Sequence, residues 1–490
     1  MMASPPLPEV SDADWAATPP SVRALGRAMA AVIARQTAHI ERLEARVRDL
    51  EERLDTDSRN SSKPPSSDGP AAAKTRKPPT GRKPGGQPGH KGHRRALRPT
   101  AECDAVVPCR PTQCGRCART LRGTDATPDR HQVTELPPTV PTITEYQLHT
   151  LVCAHCRTAT RGTLPDGVPV GDFGPRVQAT AALLAGVYRL SHRAVCEALR
   201  DLFGVTMSVG SVTACERATS AALAVPVTEA RAAARQAPVA HVDETSWREA
   251  RGRAWLWVMS TALVTVFLIH ARRNTAAATT LLRGFAGDLV TDRFKVYDRW
   301  AVWMRQLCWA HLKRDFVKIS ERPGASGRLG TDLLAEVTTR FRWWHRVRDG
   351  TLPRAVFVDK MRLLRARVEV LLCAGRDGAH ARTAGTCREI LKLRAALWTF
   401  VEVEGVEPTN HTGERQVRRG VLWRKTSFGT HSAAGSRFAE RILTTAATLR
   451  QQNRNVVEFV MRAVEYKLQG RPAPSLLPTD SHVDSYAAAA

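Results

Sequence analysis

Asp243, Asp292 and Glu414 are the residues whose type and setting best suit chemistry: they lie in HVDETSW, DLVTDRFKVY and NHTGERQVRR. Carboxylates that converge can hold two divalent cations near 4 Å apart, polarising both the attacking and the leaving oxygen of a phosphodiester. Mg²⁺, or Mn²⁺, prefers such oxygen ligands. The three acids are far apart in sequence, so only a fold that joins distant segments can assemble them. PVAHVD reads as a short buried strand ending in the Asp243 carboxylate, where α/β sheets present ligand-binding groups. Asp292 likewise ends the short apolar stretch Leu289 to Val290. A carboxylate taken at random is a solvated surface group, and Glu244, Asp288, Asp298 and Glu440 are set aside as such.

The elements that must position these acids begin near Pro238. Strands ending in Asp243, then Trp255 to Ser260 and Val264 to His270, are followed by a helix around Ala276 to Phe285 and a strand reaching Asp292. The uncharged run from Ala254 to Ala271 has the length of a membrane helix. Ser260, Thr261 and Thr265 interrupt it and its second half is rich in strand formers, so two strands joined near Thr261 fit better. Between His311 and Glu407 the sequence turns Arg- and Leu-rich with helical periodicity, an α-helical insertion over about 312–407. Asn410 and Glu414, four apart, share one helical face, with Arg415 and Arg418 beside them: carboxylate to metal, cations to phosphate. WRKTSFGTHSAAGSRFAER adds Arg424, Lys425 and Arg437 in a Gly/Ser-rich setting. His311 and Arg314 stand in a CWAHLKRDF block, where His311 either meets the scissile phosphate or packs.

With 490 residues and 43% hydrophobic content the chain can hold several domains and at least one sizeable core. It carries 73 Lys+Arg against 47 Asp+Glu, a net +26, which attracts polyanions and releases their counterions. Nucleic acid is the partner this implies, although an Arg- and Ala-rich composition accounts for part of the excess. Trp343, Trp344 and the arginines around them face either DNA or the core. The opening MMASPPLPEVSDADW lacks the basic-then-apolar order of a secretory signal. Cytoplasmic residence is therefore expected, with no membrane association.

The N-terminal part reads as a series of modules. Over 22–57, Ile33, Ile40, Val47 and Leu54 recur at one heptad position and Met29, Leu43 and Leu50 at the other, with Gln36 as the polar break. This is the pattern of a parallel coiled-coil pair, hence a homodimer or higher; an amphipathic helix packed on its own protein is the alternative. Residues 58–100 are rich in Ser, Pro, Gly, Lys and Arg and cannot form a core. They read either as a solvated linker or as a basic arm along phosphates, with Lys83, Lys91, Arg94 and Arg95 as contacts. Over 101–165, Cys114-x-x-Cys117 and Cys153-x-x-Cys156 are separated by strand-like sequence. Each two-residue spacing lets one turn present two sulfurs, and two such turns complete a structural Cys₄ Zn²⁺ site. Cys103 and Cys109 lie close enough in sequence to substitute. Within 172–235, two short helices around Gly204 to Ser208, capped by Ser191 and Ser208, outline a helix-turn-helix, with plain packing equally open. Residues 470–490 read as a disordered tail.

DETSW (Asp243 to Trp247), DRFKVY (Asp292 to Tyr297), CWAHLKRDF (Cys308 to Phe316) and NHTGER (Asn410 to Arg415) occur in that order. In these blocks the chain resembles bacterial insertion-sequence transposases of the IS-sixty-six type. It departs from them at His411, where the family has a second Asn, and in the aromatic Phe294 after Asp292. The resemblance implies a multidomain α+β protein: N-terminal coiled coil, zinc ribbon, helical DNA-binding segment and a ribonuclease H-like catalytic core over 236–465 with a helical insertion. It implies a DDE transposase in which Asp243, Asp292 and Glu414 hold Mg²⁺, cleave element ends and transfer strands to target DNA, aided by accessory proteins of the same element. No G-x-x-x-x-G-K-[ST] loop occurs, as expected of an exchange of one phosphodiester for another. A catalytically silent DNA-binding protein and a structure-selective nuclease on the same core are the alternatives.

Overall fold

The computed structural model describes residues 11–54, 56–61 and 95–478. Lys83, Lys91 and Arg94, most of the expected basic arm and the last part of the expected tail lie outside the described residues. The described chain opens with helices α1 (Asp12–Ala17) and α2 (Pro20–Leu54). A hairpin of β1 (Thr150–Val152) and β2 (Ala159–Arg161) follows, then α3 (Pro175–Gly186), α4 (His192–Phe203), α5 (Val209–Ala222) and α6 (Ala224–Arg235). Next come β3 (Val239–Glu249), β4 (Gly252–Ser260), β5 (Thr265–His270), α7 (Thr275–Leu282), β6 (Asp288–Thr291) and β7 (Arg305–Leu307). Helices α8 (Trp309–Ser320), α9 (Gly324–Arg348), α10 (Arg354–Asp377), α11 (Ala381–Lys392) and α12 (Thr399–Glu402) precede α13 (His411–Ser427), α14 (Ala433–Gln451) and α15 (Val456–Leu468). The fold is mixed α and β, and no described helix is long and apolar enough to cross a membrane.

The chain divides into two compact units, one built mainly on residues 222–459 and the other on 73–221 with 460–472. The first contains a five-stranded sheet in the order β5-β4-β3-β6-β7. β3, β4 and β5 are antiparallel neighbours, while β6 runs parallel to β3 and β7 parallel to β6. β3 is longer than PVAHVD suggested. It pairs with β4 from His241↔Ser260 to Glu249↔Gly252, so Asp243 lies mid-strand opposite Val258 rather than at the strand's end. The polar run Thr245–Ser246 hid this continuation, because it is half-buried rather than alternating between core and solvent.

Edge strand β5 would leave a row of backbone N–H groups unpaired. α14 satisfies them in sequence: Thr448 Oγ1 accepts from Thr265 N at 3.1 Å, Thr444 Oγ1 from Phe267 N at 3.0 Å and Glu440 Oε1 from Ile269 N at 2.6 Å. A step of four on a helix, about 6 Å, nearly matches a step of two on a strand, about 6.8 Å, so the ladder stays in register. Glu440 is thus a half-buried structural acceptor. α13 lies across β3 and β4, and Gly420 permits it: a Cβ there would stand 2.0 Å from Leu256 Cδ2.

Helices α8 to α11 interrupt the chain between β7 and α13 and bury their own core, including Trp309, Phe316, Leu333, Phe357, Met361 and Leu372. Trp344 belongs to that core, against Phe357 and Phe400, and does not face outward. Arg340 is fully buried beside it, its guanidinium over the rings of Phe341 at 3.5 Å and Trp309 at 4.5 Å. Among the described residues nothing hydrogen-bonds that guanidinium. Burial pushes its pKa well down. Part of the expected tail is packed: Leu476 is buried, its N–H and the Ser475 hydroxyl both donate to Glu229, and Arg454 donates to the Ser475 carbonyl. Along α2 the apolar heptad residues Met29, Ile33, Ile40, Leu43, Val47 and Leu50 are all exposed.

In the second unit, α4 and α5 flank a turn at Gly204, which closes α4 with a left-handed φ of 64°. Ser191 Oγ accepts from Ala194 N and Ser208 Oγ from Ser211 N. These helices pack with α3 around Ala181, Val195, Leu199, Met207 and Val212. Between residues 95 and 165 no residue is buried. Of the long strand-like stretch before Cys153, only Thr150–Val152 forms a strand.

Candidate active site

The fold brings Asp243, Asp292 and Glu414 from three segments to within electrostatic reach of one another, although the three do not form a group whose ligand atoms all lie within 4.8 Å. Asp243 comes from the centre of β3, Asp292 directly follows β6, and Glu414 sits in the first turn of α13. Burial, then the like charges of Glu244, Asp292 and Glu414, push the Asp243 carboxyl well above its ordinary range. Asp243 Oδ1 accepts from Glu244 N at 2.9 Å and Asp292 Oδ1 from Phe294 N at 2.9 Å.

Asn410 fixes α13 against β3. As the helix's N-cap residue it donates through Nδ2 to Val242 O at 2.8 Å, and its Oδ1 lies 3.3 Å from His241 Nδ1. Burial pushes the His241 pKa down to about 4, so the neutral ring offers one N–H and the bond fixes it on Nδ1. His241 and Val242 directly precede Asp243, so their bonds to Asn410 set the height of Glu414 over the strand. Asn410 therefore acts as a staple at the helix start.

Glu244, set aside from sequence, is the acid most firmly held. Its side chain is 2% exposed, takes an ion pair from Arg273 at 2.7 Å and accepts from Tyr297 OH at 2.7 Å. Burial and Asp292 raise its pKa while Arg273 and Tyr297 lower it. The Arg273 guanidinium stacks on Phe294 at 3.9 Å and Trp255 at 5.1 Å. Arg273 and Tyr297 were missed from sequence. Only Tyr297 had a signal, as the end of DRFKVY. A cleft of about 390 Å³ opens here, lined by Asp292 and His311 with Arg273, Arg293, Lys295 and Lys392 among its walls. Arg293 is engaged with Asp315 at 2.6 Å. Asp298, another acid set aside, pairs with buried Arg305 at 3.0 Å.

His311 Nδ1 lies 3.5 Å from Glu414 Oε1, and Cys308 Sγ lies 3.8 Å from the same oxygen. Of the remaining candidate contacts, Arg415 and Arg418 are exposed on α13, Lys425 is exposed at its end and Arg314 is half-buried on α8. Arg424 is drawn inward, donating to Ser246 O at 2.9 Å. Arg95, in the second unit, donates to Thr134 Oγ1 at 2.7 Å.

The cysteine turns are built alike. Cys114 N donates to Arg119 O and Ala118 N to Cys114 O; Cys153 N donates to Thr158 O and Arg157 N to Cys153 O. Ala118 and Arg157 both take left-handed φ, 55° and 59°. Backbone N–H groups of Arg116 and Cys117 lower the Cys114 pKa, and the Thr158 hydroxyl leads in lowering that of Cys156 to about 7. Among the described residues, however, the group of three or more metal-binding types within 4.8 Å of one another is Cys308, His311 and Glu414. Each knuckle keeps its own two sulfurs together, and the two pairs are not joined at one point.

The Transposase IS66 family matches residues 171–437, more than half of the chain, and so spans every element from α3 to the start of α14. The chain belongs to that family. This transposase is therefore a DNA-processing enzyme by membership, and the match contains all three carboxylates. Residues 17–96, including all of α2, match a family of unknown function (DUF6444). No curated protein matches the transposase chain.

Proposed function

We propose that this chain is a DDE transposase that binds element ends and catalyses metal-dependent cleavage and strand transfer, with Asp243, Asp292 and Glu414 as its metal-holding residues. The observation that carries the reading is the common electrostatic field of these carboxylates, from β3, β6 and α13, around a partly buried Asp243. A buried acid whose nearest charges are all negative suits a hard divalent cation, Mg²⁺ or Mn²⁺. Such ions, when bound, lower the pKa of water and stabilise charge on attacking and leaving oxygens. The protein's own work is positioning. β3 holds Asp243 within a paired strand, the Asn410 staple holds Glu414 over it, and the Arg273 sandwich keeps Glu244 turned to Arg273 and Tyr297. Cations in the cleft wall beside Asp292 are suited to a DNA backbone. Water opens the strand to leave a 3′-hydroxyl, which then attacks target phosphate in line, each bond made replacing one broken.

The other modules follow the same reading. Three antiparallel strands followed by two parallel ones support a ribonuclease H-like core with α8 to α12 as the insertion. The exposed apolar stripe of α2 supports pairing with a second copy as a coiled coil. The matching knuckles support a Cys₄ zinc ribbon, and α4 with α5 a helix-turn-helix. The test is Asp243→Asn on DNA carrying the natural flanks. Cleavage should vanish while retention in a gel-shift assay persists; full cleavage by the variant in Mg²⁺ would refute the assignment.

A further inference from the structure

Cys308, His311 and Glu414 have a chemistry that the carboxylate reading does not use. Cys308 is the N-cap of the twelve-residue helix α8, and His311 lies in that helix's first turn. The sulfur accepts from Asn410 N at 3.2 Å. Burial and the Glu414 carboxylate push the Cys308 thiol up to about 12 against the lowering N–H groups of Asn410, His311 and Ala310, so without an ion the sulfur keeps its proton and a cation would have to displace it. His311 Nδ1 is buried with no hydrogen-bond partner, yet faces Glu414 Oε1 at 3.5 Å. Sulfur, nitrogen and oxygen lie within 4.8 Å of one another.

A tetrahedral ion with sulfur at about 2.3 Å and nitrogen or oxygen at about 2.0 Å needs its ligand atoms roughly 3.3–3.6 Å apart. The separations of 3.8 Å for sulfur to oxygen and 3.5 Å for nitrogen to oxygen need only small adjustment. His311 also lines the cleft, which gives an entry path and leaves the fourth position to water or substrate. Mg²⁺ is a poor occupant, because it prefers six oxygens, whereas a thiolate with an imidazole selects Zn²⁺ and similar thiophilic ions.

We infer that Cys308, His311 and Glu414 form a second cation site, for a thiophilic divalent ion of the Zn²⁺ type, that shares Glu414 with the catalytic carboxylates. Binding forms a metal–sulfur bond and releases the thiol proton to solvent, with no change of oxidation state. The consequence, which rests on the proposed function, is that zinc withdraws Glu414 from Mg²⁺ and inhibits the enzyme.

The test is a cobalt(II) titration of the full chain, comparing the natural form with Cys308→Ser and His311→Gln. Whatever the knuckle cysteines bind is common to all three. The natural chain should take up one more equivalent than Cys308→Ser and show sulfur-to-cobalt charge-transfer intensity beyond that of the knuckle cysteines, an increment that the variant lacks. His311→Gln should weaken that equivalent while keeping the sulfur band at high cobalt. Equal stoichiometry and identical spectra in all three forms would overturn the site. In Mg²⁺ reactions, the fold-reduction caused by added zinc should be large in the natural chain and lost in Cys308→Ser, each measured against its own zinc-free rate. Equal fold-reduction would overturn the sharing of Glu414. A chain that shows the band but never joins DNA would instead refute the proposed function and leave the site standing.

Discussion

Around Asp243 the carboxylates sit on paired strands and a stapled helix, with Trp247, Trp257 and Leu256 fully buried nearby, whereas between residues 95 and 165 nothing is buried at all. In the function proposed above, both regions would hold a cation. In the first, a large apolar core holds carboxylates near one another despite their repulsion, so the fold supplies the energy and the proposed metal would relieve a cost. In the second, Val106, Val133, Leu136, Ile143 and Leu151 remain exposed, so local turns are all the fold provides. A module of that kind, if it holds the zinc proposed for it, would depend on that metal for structure.

The largest effect that would sharpen this contrast comes from zinc. Chelation, or Cys117→Ser, should unfold the knuckle module, on the order of 10 kcal/mol for a structural zinc site, while the thermal transition of the sheet unit stays in place. Proteolysis sites appearing across both units together would break the contrast. Next is Arg340→Met. A buried cation without hydrogen bonds is usually outdone by an apolar side chain of similar volume, so stability should rise by about 1–4 kcal/mol, measured by denaturant unfolding. A fall would mean that its ring contacts contribute more than its burial costs.

Gly420→Ala should act in the opposite direction. The added methyl meets the fully buried Leu256 of β4, costs about 1–3 kcal/mol by overpacking and, by lifting α13, lowers strand-transfer activity with it. Unchanged activity would mean that Glu414 tolerates displacement of its helix. Smallest is the stability effect of Asp243→Asn. Because the folded pKa of Asp243 is raised, its contribution is fully present below the ordinary carboxylate value of 3.8 and is lost as pH rises through the higher folded value. At neutral pH the metal-free Asn variant should therefore melt higher, by roughly 2–4 °C for about 1 kcal/mol, and lack that part of the pH slope. A lower melting point would show that the ionised acid is stabilised without metal.

The legible parts of the molecule were those coded locally. Runs such as Val264 to His270 are apolar because β5 lies in a sheet buried by α14, and the spacing of Ser191, Gly204 and Ser208 records caps and a left-handed turn that need no distant partner. The heptads of α2 marked a helix over Pro20–Leu54, close to the expected 22–57. What depends on tertiary pairing was not legible. Glu244 looks like a surface acid until Arg273 and Tyr297 close on it, and Glu440 until β5 turns out to be an edge strand. Ser475 to Leu477 looked like tail because a short Pro-rich stretch carries no periodicity, although Glu229 and Arg454 anchor it. Trp344 could not be oriented from helical spacing alone; the core formed by α9, α10 and Phe400 decides it.

The most direct measurement places the gene with its native flanking DNA on a donor plasmid and sequences new flank-to-target junctions, comparing the natural chain with Glu414→Gln, with neighbouring genes of the element supplied in both cases. Junctions formed by the natural chain and absent with Glu414→Gln are the expected result. Junctions that form equally well with both would contradict a joining reaction carried by the carboxylates of β3, β6 and α13.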